Sequence, residues 1–173
     1  MHVSNRSAEI DHDWHAVDGD APLPAAGDVV LPLARWLAER DGLGPRDGRL
    51  GVRLTGADDV SALAGNFARI DRIVVLFAKG TDGRGYSQAR LLRERYGYRG
   101  ELQATGELLP DHLHFLHRCG FDHVTLPAGV ERAEIVTALT AISHGTQPAG
   151  DGGELAFRRA RRPTWRPEQS PAA

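Results

Sequence analysis

The chemistry in this chain gathers in one stretch, Phe77-Ala78-Lys79-Gly80-Thr81-Asp82-Gly83-Arg84-Gly85-Tyr86-Ser87-Gln88-Ala89-Arg90. Of the 21 basic residues in the chain, Lys79 is the one lysine. A lysine is a flexible point charge that can give up its proton when buried, whereas an arginine is a planar fork that stays charged. Gly80, Gly83 and Gly85 permit positive φ and close backbone approach, so the turn could fold into an anion-binding nest of N–H groups. A following helix would aim its N-terminus at the same space. Lys79, Arg84 and Arg90 would add charge-assisted bonds, Tyr86 and Ser87 hydroxyl donors, and Asp111 a facing carboxylate. A small anion or polar metabolite is the ligand class this implies. Lys79 and Asp82 are the best catalytic candidates: a desolvated lysine can form a Schiff base or act as a base, with Tyr86 giving and Asp82 or Asp111 taking a proton. The structural alternative is a tight loop held by an Asp82–Arg84 or Asp82–Arg90 pair, with Ser87 capping the helix. Neither the P-loop pattern nor the dinucleotide fingerprint is present.

Alternating apolar runs and helical periodicities must position this loop. Strands are expected at Asp28–Leu31, Leu50–Leu54, Ile73–Phe77, Glu101–Thr105 and Val124–Leu126. Helices are expected from Leu33 through Leu37, from Asp58 (as N-cap) through Leu63, from about 87 to 96, from Leu109 to Cys119, and around Ile135, Leu139 and Ile142 at i, i+4, i+7. Gly42 and Gly44 close the first of these. Strands alternating with helices imply right-handed βαβ units, hence an α/β fold with a mainly parallel sheet of about five strands and flanking helices. Two architectures fit: an open three-layer sandwich, or an incomplete β/α barrel that pairs with a second subunit as a homo-oligomer. In either, ligands bind beyond the carboxyl ends of the strands, where Thr55, Asp58, Lys79, Glu107 and Asp111 fall.

His112, His114 and His117 crowd one helix, but without a His-Glu-x-x-His spacing they read as surface histidines, and no metal site is expected. Cys119 stands before Gly120 at a helix C-terminus, an end of the dipole that disfavours a thiolate, so it reads as a buried thiol. Leu91, Leu92 and Tyr96 form a core stripe. No nicotinamide, flavin, haem or iron–sulfur motif is visible, so no cofactor is evident.

With 173 residues, 41% apolar and 25% charged, the chain suits one domain with a real core. A net charge of −2 gives no strong nucleic-acid signal and no pull toward acidic membrane. No apolar run approaches the about 20 residues of a bilayer span, and the opening residues do not read as a signal peptide. With a single cysteine, these features point to a cytoplasmic protein. Residues 1–27 read as an acidic flexible segment and 28–144 as the single α/β domain. Residues 145–173 read as a basic, Pro/Gly/Ala-rich tail expected to be disordered. That tail carries Arg158, Arg159, Arg161, Arg162 and Arg166 around Trp165. It reads as a solvated extension, with a docking arm for an acidic partner or nucleic acid as the sharper alternative.

The stretch from Asp82 through Arg90 to Leu102, together with Arg118-Cys119-Gly120-Phe121-Asp122, resembles an uncharacterised bacterial family, the domain-of-unknown-function family numbered 934. Weaker likeness lies at Asp13-Trp14 and Val30–Leu37, and the resemblance spans roughly residues 9–142. Members carry an oxidoreductase label tied to sulfite reduction. The resemblance therefore implies an accessory protein of assimilatory sulfite reduction, serving cysteine supply, with sulfite reductase as partner. It also implies that an oxidoreductase, or a subunit of one, is the enzyme class to consider. The alternative is a small-molecule enzyme working through the Lys79-Asp82-Arg84 loop. The chain departs from the family pattern at Ala78, Gly80, Gln103 and Glu107, and at Pro110-Asp111-His112; the changes at Gln103 and Glu107 are expected to alter the mouth.

Overall fold

β-Branched and leucine-rich runs separated by glycine and aspartate turns build one all-parallel sheet. The computed structural model describes residues 1–4, 14–44 and 46–140. Ile142, the tail 145–173 and Asp13 lie outside the described residues. The strands are β1 (His2–Ser4), β2 (Trp14–Ala16), β3 (Asp28–Pro32), β4 (Leu50–Thr55), β5 (Arg72–Phe77), β6 (Glu101–Gly106) and β7 (His123–Thr125). The helices are α1 (Leu33–Glu39), α2 (Arg84–Arg90), α3 (Leu113–Arg118) and α4 (Arg132–Thr140).

The strand order is β1-β7-β6-β5-β4-β3-β2, every pair parallel. From β2 to β7 each strand lies beside its sequence neighbour, so the order never reverses. Right-handed crossovers in such an order keep returning to one face. An open three-layer sandwich needs a reversal to place helices on both faces; this sheet curls instead into a half-barrel, the second of the two expected architectures. The described residues hold seven strands rather than five. The two additional ones, β1 and β2, are three-residue edge strands within residues 1–27, too short to show a period of two.

The convex face carries the main core. Val29 and Leu31, Val52 and Leu54, Ile73, Val75 and Phe77, and Leu102 and Ala104 alternate along their strands and pack against Trp36, Leu63, Ala89, Leu92, Leu113 and Leu116. The concave face has a second, small apolar cluster of Trp14, Val30 and Val74. Much of the rest of that face is polar and hydrogen-bonded. Asp28 holds Arg49 at 2.6 Å, Arg49 reaches Glu101 at 3.4 Å, and Glu101 holds Arg72 at 2.5 Å. Arg72 Nη1 donates to Gln103 Oε1 at 3.0 Å, Gln103 Nε2 to Thr125 Oγ1 at 2.9 Å, and Ser4 Oγ to Thr125 Oγ1 at 3.3 Å. Arg72 and Gln103 are buried. A buried charge is tolerable only when paired and hydrogen-bonded, and this ladder supplies both from β3 to β1. Gln103 thus lies inside the ladder rather than altering the mouth.

Several element ends differ from expectation, each for a local reason. Asp59 caps the short helical turn Val60–Leu63, its carboxylate accepting from Ser61 N at 2.9 Å. Asp58 instead accepts from Thr55 N at 2.6 Å and Thr55 Oγ1 at 2.8 Å, closing the end of β4. α2 begins three residues before Ser87, because Asp82 Oδ1 already accepts from Arg84 N at 3.1 Å. It then widens into a π turn over Leu91–Arg95, with Tyr96 N bonding back to Leu91 O at 3.0 Å. The helix expected from Leu109 to Cys119 is a 3-10 turn at Pro110–His112 leading into α3. Gly106 ends β6 at φ +110°, and a Cβ there would sit 2.2 Å from Phe77 O. Only glycine serves at that position.

Candidate functional site

At the carboxyl ends of β4, β5 and β6 the loop after β5 meets the turns on either side. Asp82 and Arg84 bind each other through a two-pronged contact: Arg84 Nε to Asp82 Oδ1 at 2.9 Å, and Nη2 to Oδ2 at 2.7 Å. This pair lies over Gly56, whose missing Cβ would be 2.8 Å from Asp82 Oδ2. On the other side Gly80 abuts β6: a Cβ there would lie 2.7 Å from Glu107 O and 3.3 Å from His112 Cε1. The loop is therefore wedged between its neighbours, and its glycines serve close approach. Gly80, Gly83 and Gly85 all avoid positive φ. The nest that alternates right- and left-handed backbone is therefore not built from these three glycines.

Lys79 is exposed and its ammonium makes no bond to any described residue. The desolvation that a Schiff-base lysine needs is not supplied at this position. Gly83 is exposed, with φ −71°, at the N-cap of α2. Gly85 is buried because a Cβ would strike the Phe77 ring at 2.6 Å. Tyr86 is half-buried in an aromatic row on the helix side, its ring centroid 5.0 Å from Phe77 and 4.8 Å from Phe115. Burial, then the nearby Cys119, pushes its hydroxyl pKa up. Ser87 is exposed within α2 and caps nothing. Arg90 pairs along its own helix with Glu94 at 3.2 Å rather than with Asp82. Asp111 is exposed on the 3-10 turn and makes no bond to the loop. The structure thus brings Lys79, Asp82, Gly83 and Arg84 together and leaves Tyr86, Ser87, Arg90 and Asp111 outside the constellation.

Gln88 is the residue that sequence reasoning missed. Its Nε2 donates to Thr55 O at 2.7 Å and Asp58 O at 2.8 Å, tying α2 to the end of β4, while Oε1 is buried without a partner. Its place on the Gly85–Gln88–Ala89–Leu92 stripe was the available signal: a polar residue on the buried face of an amphipathic helix needs a backbone partner. Of the three histidines, His117 is exposed and His114 half-buried, and His112 Nδ1 accepts from Leu109 N at 3.3 Å. Among the described residues no three His, Cys, Asp or Glu side chains gather as a metal site, and no helix is long and apolar enough to cross a membrane. Cys119 is buried.

The electrostatics of the loop follow from the clamp. The Arg84 side chain, then its backbone N–H, holds the Asp82 carboxyl down at about 2. A depressed carboxylate contributes its full stabilisation above the unfolded value near ~4 and loses it as pH falls through the folded value. The clamp should therefore stay closed from about pH 5 upward and open only as pH falls through about 2. The Arg84 Nε–H resonance should be constant across neutral pH and shift in strong acid, and Asp82→Asn should shift it at every pH. Movement of the wild-type signal between about pH 5 and 8 would contradict the clamp.

Chemically, the site offers one unpaired cation, Lys79, beside an internally neutralised pair. It can attract a small anion, and it presents no hydrogen-bonded nucleophile–base couple. No curated protein matches the chain. A family model described as bacterial protein of unknown function (DUF934) matches residues 51–157, more than half of the sequence, and the chain belongs to that family.

Proposed function

We propose that this protein is a cytoplasmic accessory protein of assimilatory sulfite reduction, docking on sulfite reductase and holding a small anion at the Lys79 loop, rather than a free-standing catalyst. The tie to sulfite reduction comes from the resemblance of the Asp82–Leu102 stretch. The observation that favours an accessory role is the Asp82–Arg84 clamp, which commits the loop's only carboxylate to its neighbour. An acid or base engaged in this way is poorly placed to exchange protons with a substrate. Supporting a docking role, Phe115 on α3 is 53% exposed, and Leu109, Val136 and Leu139 are exposed on segments packed around it. Exposed aromatic and aliphatic side chains on neighbouring elements are common material of a protein interface.

Growth of a clean deletion strain on sulfate, sulfite, sulfide or cysteine as sole sulfur source tests this. Failure on sulfate and sulfite with rescue by sulfide or cysteine is the expected result. Normal growth on all four would refute it. The second reading, a small-molecule enzyme acting on a polar or anionic metabolite, draws on one observation: the Lys79 ammonium is unpaired at a strand's carboxyl end. It predicts turnover that survives removal of the reductase.

A further inference from the structure

A cleft lies at the amino-terminal end of the strands, opposite the Lys79 loop, with a volume of about 390 Å3, in the range of small-ligand pockets. Leu43 and Leu50 give it an apolar wall, and Arg46, Arg69 and Asp71 a polar one. Gly48 fixes its rim: at φ +138° a Cβ would fall 2.2 Å from Gly27 O, so this backbone rests directly on its neighbour.

Both arginines are anchored by backbone carbonyls rather than carboxylates. Arg46 Nη2 donates to Gly27 O at 2.6 Å and Pro24 O at 3.3 Å. Arg69 Nη2 donates to Arg40 O at 2.7 Å and Leu43 O at 3.3 Å. Neither forms an ion pair with a described residue, so among these residues both guanidinium charges remain un-neutralised while their positions are set. Arg46 Nε is buried and has no hydrogen-bond partner. Asp71 uses Oδ2 to accept from Leu50 N at 2.9 Å, which orients the carboxylate and leaves Oδ1 for another donor.

The geometry points to a binding site for a free α-amino acid with a small apolar side chain, its carboxylate on Arg46 and Arg69, its ammonium on Asp71, and its side chain on Leu43 and Leu50. Two cations, one anion and an apolar wall match the three parts of such a molecule. An inorganic anion would use the arginines alone, and a simple fatty acid would leave Asp71 facing nothing. The site stands apart from the Lys79 mouth and does not depend on how that mouth is used.

The test is calorimetric titration of the full chain with L-alanine, L-leucine, isovalerate and inorganic phosphate. Saturable binding of L-leucine or L-alanine, tighter than isovalerate and absent for phosphate, is expected. Arg46→Gln and Arg69→Gln should each weaken it by about tenfold or more, and Asp71→Asn should abolish the preference for the amino acid over isovalerate. Arg69 is the exposed member, so Arg69→Gln keeps the test usable if Arg46→Gln disturbs the backbone it anchors. No heat with either amino acid up to millimolar concentration, equal or tighter binding of isovalerate, binding of phosphate alone, or amino-acid binding unchanged by the folded Arg69→Gln variant would each overturn the assignment.

Discussion

Trp14→Ala is expected to destabilise the protein by about 3–5 kcal/mol, a large share of the ~5–15 kcal/mol that holds a domain of this size together. Trp14 lies on β2, in a part of the sequence that reads as a flexible acidic segment, yet it is 5% exposed. Its ring covers the concave face of the sheet. Arg72 Cζ stands 4.6 Å from the ring centroid and Arg49 Cζ 4.7 Å, so the indole packs against two guanidinium groups of the polar ladder. Gly51 makes room for it: a Cβ there would meet Trp14 Cζ3 at 3.1 Å and Val30 Cγ2 at 2.9 Å. Removing the ring opens a void beside Val30 and Val74 and lets water reach a buried arginine. It also strips the three-residue β2 of its anchoring side chain. Urea denaturation gives the number. Trp14→Phe, which keeps an aromatic face, should lose less than half as much, and a Trp14→Ala protein within about 0.5 kcal/mol of the parent would show that the concave face does not contribute to the fold.

How well the sequence announced its own structure depends on which face a residue serves. β3 to β6, and the short β7 with them, read correctly because buried parallel strands are continuous apolar runs, and Ile73–Phe77 or Val29–Leu31 leave little choice. β1 and β2 were invisible because each is three residues long with one large apolar side chain, Val3 or Trp14, whose meaning comes only from neighbours far away in sequence. The choice between a sandwich and a half-barrel rests on strand order, which no local pattern encodes. The concave face was harder still, since Arg72, Gln103 and Thr125 alternate with apolar neighbours as if they faced solvent, and only the curl buries them.

The loop after β5 was half legible. Its position between strand and helix, and the Asp82–Arg84 pairing, were among the readings its residues allowed. The glycines misled, because richness in glycine signals either positive φ or close approach, and here Gly80 and Gly85 serve the second. Arg90 was expected to face the loop, but at i, i+4 it finds Glu94 on its own helix first, the nearest partner that helical spacing offers. Gln88 looked ordinary as a letter, and its role followed only once α2 was placed against Thr55 and Asp58.

Phe115→Glu should abolish rescue of a deletion strain on sulfite, whereas Lys79→Ala should retain it at least in part. The two substitutions separate docking from chemistry because each removes one of them and spares the fold. Phe115 is 53% exposed, and its main partner is the Tyr86 ring, 4.8 Å between centroids. Losing that pair costs about 0.5–1.5 kcal/mol, which leaves the protein folded at growth temperature and can be checked by its melting curve. What the glutamate does change is the surface: a charge placed on the exposed face of α3 must be desolvated by any partner that covers it, a penalty of several kcal/mol at an interface. Copurification with sulfite reductase should fall in parallel with growth. The Lys79 ammonium bonds to no described residue, so its loss removes only the attraction of the mouth for an anion. An enzyme working through that lysine would give the reverse pattern, with Lys79→Ala abolishing rescue while staying folded and Phe115→Glu near normal. That outcome would move the function from the helix surface to the carboxyl ends of the strands.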